Sequence, residues 1–161
     1  MSFERAEGGL QLTIDDHSRN VLVQLLGELR HELVRAKSTS ENELASHMKR
    51  LFPTAYHNDE RRNQEYRRFT HADLADSHVA AIDDTLSLLT PQRVFNQGDL
   101  EQFVRAINAM RLVLGTILDV SEDEADDVGE DDPTAAQREV YDYLGWLLHT
   151  ALQYLGELPT H

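Results

Sequence analysis

The sequence predicts a mainly all-α protein, a single-domain bundle of about five helices over residues 1–161 with a short N-terminal β-hairpin. Three observations support this fold class. Apolar residues recur at helical spacing in four long segments, and capping residues precede several of them. Hydrophobic residues make up 40% of a 161-residue chain, which suits one globular domain with one core.

The N-terminal residues predict a hairpin followed by a first helix. The runs FERA and LQLTI flank Glu7-Gly8-Gly9, and two short runs around a glycine turn are typical of a hairpin. A helix is predicted from Asp15 or Asp16 to Lys37. Its apolar face consists of Leu22, Leu25, Leu26, Leu29 and Leu33.

Capping residues delimit the second and third helices. Ser40–Glu43 has the pattern of a capping box, which begins a short helix that Pro53 ends. Thr70–Asp73 predicts the start of a third helix, and the apolar spacing continues to Leu89. The intervening segment is therefore predicted to be a connection between helices.

The fourth and fifth helices complete the bundle. Asn96 is the predicted N-cap of the fourth, whose apolar stripe continues to Leu118. Asp132-Pro133 combines a cap with a proline at the first helical position, and the fifth helix then continues to Leu155. Arg111 lies on the apolar stripe of the fourth helix, where we expect a carboxylate across the core to pair with it.

Three glycines, Gly27, Gly115 and Gly145, fall inside the predicted helices. Each costs about 1 kcal/mol relative to alanine. Close approach of neighbouring helices would offset this cost, so we expect helices one, four and five to cross near these residues. The alternative is that the glycines are merely tolerated.

Residues 119–132 are predicted to form a solvated acidic loop, because they contain nine carboxylates and no basic side chain. The segment partly matches a calcium-binding EF-hand loop. The match fails at Glu124, which occupies the position where the sharp turn requires glycine. Specific calcium binding is therefore not predicted.

No catalytic, cofactor-binding or metal-ligating residue is predicted. The chain has no cysteine, which excludes disulfides and thiolate metal sites, and it lacks the recognisable phosphate-binding loops. His31 begins a zinc-protease pattern, but Arg35 replaces the second histidine ligand. His71 and His78 could share a helical face as ligands, although surface or capping roles are the commoner ones.

The interaction candidates are Arg61, Arg62, Tyr66, Arg67 and Arg68. They concentrate positive charge in a chain of net charge −14. Arginine forks suit carboxylate and phosphate groups, so an anionic ligand, a nucleic-acid strand or an acidic partner could bind there. The alternative is internal pairing with surface carboxylates.

The protein is predicted to be cytoplasmic and to form a homodimer. No signal-peptide pattern opens the sequence, and no stretch reaches the length of apolar residues that a membrane span needs. Five aromatic residues outside the tidiest apolar stripes would leave surface for a second copy to cover, namely Phe3, Phe52, Tyr56, Trp146 and Tyr154.

Four stretches resemble an uncharacterised actinobacterial family, a domain of unknown function. They are Leu51–Tyr56, Glu65–Thr70, Asn108–Gly115 and Val140–Leu144, and the resemblance spans nearly the whole chain. It implies a small cytosolic helical protein, often encoded beside the ClpS protease adaptor, with no established activity or catalytic residues. Some members carry a transcriptional-regulator label, but no helix-turn-helix signature occurs here.

The preferred hypothesis is a non-enzymatic interaction protein with a protein partner. A role as an accessory factor in regulated proteolysis rests on the resemblance alone. The first alternative is a nucleic-acid-binding transcriptional regulator that uses the 61–68 arginine segment, which the net charge of −14 disfavours. The second is an enzyme whose site is assembled across helices without a recognisable motif.

Overall fold

A computed structural model describes residues 2–39, 46–52, 60–124 and 135–155, apart from the side chains of 2, 60–70 and 120–124. The elements in chain order are β1 Ser2–Ala6, β2 Gly9–Thr13, α1 Asp16–Lys37, a 3-10 helix Ser46–Leu51, α2 Glu60–Leu88, β3 Val94–Phe95, α3 Gln97–Glu124 and α4 Ala135–Tyr154. The mainly all-α prediction and the N-terminal hairpin are confirmed.

The hairpin is extended by a strand that the sequence pattern did not predict. β1 and β2 pair antiparallel, with Ala6 opposite Gly9, and the two-residue strand β3 pairs with β2 through Leu10 and Phe95. A Cβ atom at Gly9 would collide with the carbonyl group of Phe95. Gly9 is therefore required because β3 passes so close to the backbone of β2.

An aromatic cluster attaches the sheet to the helices. The rings of Phe3, Phe95 and Phe103 meet edge to face, with centroids 5.6–6.0 Å apart. Phe3 also lies 6.4 Å from Tyr154 near the end of α4. All three phenylalanines are buried, so apolar contact holds β1 and β3 against α3 and also holds β1 against α4.

Helix α1 begins and ends as predicted. Asp15 is its N-cap and accepts a hydrogen bond from the backbone N–H of Ser18 at 2.7 Å. This bond favours the ionised form and lowers the pKa of Asp15. The predicted leucine stripe is buried except for Leu25, which is partly buried, and α1 packs mainly against α2.

Two element boundaries differ from the sequence prediction. Helix α2 begins at Glu60 rather than at Thr70. Most of residues 60–69 favour a helix, but they have no apolar stripe, so the apolar spacing did not predict this part of the helix. Helix α3 continues to Glu124, so the acidic loop predicted from residue 119 does not begin there. The segment Ser46–Leu51 is a 3-10 helix, and its predicted cap at 40–43 lies outside the described residues, as does the cap predicted at 132–133.

The aromatic surface predicted for self-association is smaller than expected. Phe3 and Phe52 are buried because the sheet and the 3-10 helix pack against the core, while Tyr56 lies outside the described residues. Trp146 is exposed and stacks on Tyr143 at 6.2 Å. Homodimer formation stays a prediction. None of the described helices has both the length and the apolar character needed to cross a membrane.

The start of α3 provides a test of the predicted capping. The Asn96 side chain accepts from the N–H of Asp99 at 2.8 Å, and the Asp99 carboxylate accepts from the N–H of Asn96 at 3.0 Å. Replacing Asn96 by alanine should therefore lower the free energy of unfolding by about 1 kcal/mol in urea denaturation. Asn108→Ala, at an exposed position inside the same helix, is the control and should not destabilise. Equal effects at both positions would contradict the capping role.

Candidate functional site

Helices α3 and α4 pack side by side through two glycine contacts. Gly115 on α3 faces the ring of Tyr141 on α4, and Gly145 on α4 faces Arg111 on α3. The later residue of α3, Gly115, faces the earlier residue of α4, Tyr141, and the earlier residue Arg111 faces the later residue Gly145. The two helices therefore run antiparallel. We call Arg111, Gly115, Tyr141 and Gly145 the seam.

The guanidinium group of Arg111 is sandwiched at this seam. Its Cζ atom lies 4.8 Å from the centroid of the Tyr141 ring, which is a cation–π distance. A Cβ atom at Gly145 would lie only 3.2 Å from Nε of Arg111. Nε itself is buried and has no hydrogen-bond partner. The carboxylate partner predicted across the core is not found among the described residues, where the Tyr141 ring contacts Arg111 instead.

Two of the three helical glycines mark helix crossings as predicted. A Cβ atom at Gly115 would lie 3.1 Å from Cε2 of Tyr141, so a side chain there would press on the ring. At Gly27, by contrast, a Cβ atom would meet nothing within 4 Å. Gly27 is therefore tolerated in α1 rather than required for packing.

A polar cleft of about 250 Å³ adjoins the seam. The residues that line it come from the 3-10 helix, α3 and α4, and they are Arg50, Gly115, Leu118, Asp119, Arg138, Tyr141 and Asp142. Arg50 forms an ion pair with Asp119 at 3.4 Å, and both side chains are more than half exposed. Exposed pairs of this kind contribute little stability, so these groups remain available to a binding partner.

Histidines hold the 3-10 helix, and with it Arg50, against α1 and α2. His47 lies 3.0 Å from the Glu32 carboxylate of α1. The ring of His71 stacks on Phe52 at 4.3 Å and hydrogen bonds to the carbonyl oxygen of Ala36.

His78 also lies against the 3-10 helix, next to the backbone of Leu51, and its Nδ1 atom is buried without a hydrogen-bond partner. His71 and His78 therefore have packing roles. Burial lowers the pKa of His78, since the charged imidazolium would lose its hydration there. In the described residues no group of three potential ligands could hold a metal ion.

The arginine segment 61–68 belongs to the first turns of α2, and the prediction that it connects two helices was wrong. Its side chains lie outside the described part of the chain. The side chain of Thr85 bonds to Gln102, and Arg105 bonds to Ser77, so α2 and α3 run antiparallel. The beginning of α2 therefore lies toward the same end of the bundle as the end of α3 and the cleft.

The EF-hand comparison is not supported by the backbone. A calcium loop beginning at Asp119 would need a sharp turn at its sixth residue, Glu124, whereas α3 continues through that residue. Residues 125–134 lie outside the described residues.

Comparison with known families agrees with the resemblance seen in the sequence. The model of a family described as a domain of unknown function, DUF2017, matches residues 1–155. The chain belongs to the DUF2017 family. No curated protein and no solved structure matches the chain. The seam lies within the stretches that carry the resemblance. Arg111 and Gly115 belong to the stretch Asn108–Gly115, and Tyr141 belongs to the stretch Val140–Leu144, which Gly145 follows directly.

The cleft itself was not predicted from the sequence. Its polar residues Arg50, Arg138, Tyr141 and Asp142 have no common motif, since they come from separate elements. The available signal was the pair Gly115 and Gly145, which indicated where the helices meet but not which side chains face each glycine.

The glycine contacts generate a prediction about stability. Gly27→Ala should raise the free energy of unfolding by about 0.4–1 kcal/mol, because a helical alanine restricts the unfolded chain and nothing obstructs it. Gly115→Ala should instead lower it by about 1 kcal/mol or more, since the Tyr141 ring must move. Chemical denaturation of the two variants provides the measurement. Stabilisation by both substitutions would show that the seam is not tightly packed.

His78 generates a prediction about pH. Its folded-state pKa is lowered from 6.5, so as pH falls below about 6.5 the unfolded chain binds a proton before the folded protein does. The free energy of unfolding should therefore be independent of the titration of this histidine above that pH. Below it, the free energy of unfolding should decrease by at most about 1.4 kcal/mol per pH unit for one proton. His78→Gln should reduce this slope between pH 7 and 5.5. His31→Gln, at an exposed position, should retain it; an unchanged slope in His78→Gln would contradict the assignment.

Proposed function

We propose that the protein is a cytoplasmic, non-enzymatic interaction protein that binds a protein partner at the cleft between α3, α4 and the 3-10 helix. The composition of the cleft supports this proposal. Three elements supply two guanidinium groups, a phenol and two carboxylates around an open volume of about 250 Å³. The described residues of the lining offer ionic and hydrogen-bonding groups, and none of them is a serine, cysteine, histidine or lysine.

A protein partner suits the cleft better than a nucleic acid. Asp119 and Asp142 are exposed in the lining beside Arg50 and Arg138, and the whole chain has a net charge of −14. A phosphate backbone would be repelled by these carboxylates. A protein surface with both signs of charge can complement both signs in the cleft.

The arginine segment extends the proposed interaction surface. Arg61, Arg62, Tyr66, Arg67 and Arg68 remain the candidate residues, and the antiparallel packing of α2 and α3 supports their placement toward the end where the cleft opens. The family resemblance makes a component of regulated proteolysis the first partner to test, with this protein as an accessory factor.

Partner capture from a lysate of the native host tests the proposal. Arg50→Ala in the cleft and the double variant Arg67→Ala/Arg68→Ala should each reduce capture at least tenfold, because hot-spot arginines dominate such contacts. Both should melt near the wild-type temperature. Arg93→Ala is the control, since this exposed residue lies between α2 and β3 at the opposite end of the bundle.

The alternatives give different results in the same experiment. If the arginine segment clamps internal carboxylates, the double variant will lose thermal stability while it retains capture. Salt-dependent retention on a DNA column would support the nucleic-acid alternative. Equal capture by wild type, Arg50→Ala and Arg93→Ala would refute the cleft as the binding site.

A further inference from the structure

We infer that Arg111, which contacts Tyr141 at the seam, is a binding site for a carboxylate group that none of the described residues supplies. The Arg111 guanidinium is partly buried, with its Cζ atom 4.8 Å from the centroid of the Tyr141 ring and its Nε atom buried without a hydrogen-bond partner. No ion pair or hydrogen bond joins Arg111 to any described residue. A guanidinium group has five N–H donors, and the buried donor at Nε of Arg111 has no acceptor among the described residues.

The missing partner does not reflect a shortage of carboxylates. The chain has 29 acidic and 15 basic residues, and three other described arginines have acidic partners. Arg19 pairs with Asp16, Arg30 with Asp83, and Arg50 with Asp119. Arg111 is different because the neighbouring helix presents an aromatic ring and a glycine to it instead of an acidic side chain.

Contact with the Tyr141 ring accounts for the position of the Arg111 side chain, but it does not account for the presence of a charged residue there. A leucine or methionine could fill the same space between Tyr141 and Gly145 without the loss of hydration that a cation suffers. The Cζ atom lies over the Tyr141 ring, and the missing side chain at Gly145 leaves room for Nε against α4. The terminal nitrogens are not among the buried atoms without hydrogen-bond partners, so the planar fork that they form remains accessible to an anion.

A planar monoanion suits this fork better than phosphate does. Two terminal N–H groups of arginine match the two oxygens of a carboxylate in a bidentate arrangement. The neighbouring cleft contains the carboxylates of Asp119 and Asp142, and their negative potential opposes a doubly charged anion more strongly than a singly charged one. The carboxylate can belong to a small acid or to a peptide chain, since the recognised group is the same.

Titration of the full-length protein with defined carboxylates tests the inference. The probes are acetate, the dipeptide acetyl-Ala-Ala with a free C-terminus, and its C-terminal amide, each at constant ionic strength adjusted with chloride. The NMR signal of the Arg111 Nε–H group should shift saturably with at least one of the two acids, and the amide and inorganic phosphate should bind at least tenfold more weakly. Preference for acetate or for the peptide acid identifies the source of the carboxylate.

Variants test whether carboxylate binding requires the planar guanidinium fork or only a positive charge. Arg111→Lys retains the charge but not the planar fork, so it should bind the preferred acid at least tenfold more weakly. Arg105→Lys is the matched control, because Arg105 is exposed on the same helix and bonds to Ser77. Tyr141→Phe retains the stacking face and should retain binding. Gly145→Ala displaces the guanidinium without changing any charge and should weaken binding, which provides a second variant if Arg111→Lys does not fold.

Three results would overturn the inference. They are the absence of a saturable shift at Arg111 in the wild-type protein, equal binding of the amide, and undiminished binding by a folded Arg111→Lys variant. No protein partner is needed for these measurements, so their failure would leave the proposed interaction at the cleft untouched.

Discussion

The rest of the structure depends on the burial of α3 between its neighbours. Helix α3 packs against α2 and α4, and it also contacts the 3-10 helix and β3. Its fully buried Phe103 and Ile107 fill the core, while the small side chains of Ala106 and Ala109 let the flanking backbones approach. Because α3 touches almost every other element, its sequence determines where each of them can lie, and the seam with α4 is one consequence.

At the seam the packing is reciprocal. Each helix provides a glycine where the other provides a large side chain, with Tyr141 against Gly115 and Arg111 against Gly145. This arrangement brings an aromatic ring and a cation to the edge of an otherwise apolar interface. The cleft that Asp119 and Arg138 line adjoins this interface. The candidate site is thus a product of the packing that holds α3 and α4 together.

The sequence predicted those elements whose apolar residues have helical spacing, and it missed those defined by distant contacts. The stripes of α1, α3 and α4 were visible, and Asn96 was found as a cap. Helix α2 was predicted too short because residues 60–69 have no apolar stripe, and β3 is only two residues that pair with a distant strand. The partner of Arg111 could not be predicted either, since it depends on the register between two helices, which the sequence does not encode locally.

The charges near the cleft would make the proposed binding selective. The carboxyl end of α3 has the negative end of a helix dipole together with Asp119, and Arg50 from the 3-10 helix partly offsets it. The arginine-rich first turns of α2 lie toward the same end, because α2 and α3 are antiparallel. Positive and negative side chains next to each other attract a uniform polyanion only weakly. They favour a partner whose own charges are opposite to theirs at each position. Selectivity of the proposed binding would therefore depend on the direction of the helices as much as on the residues themselves.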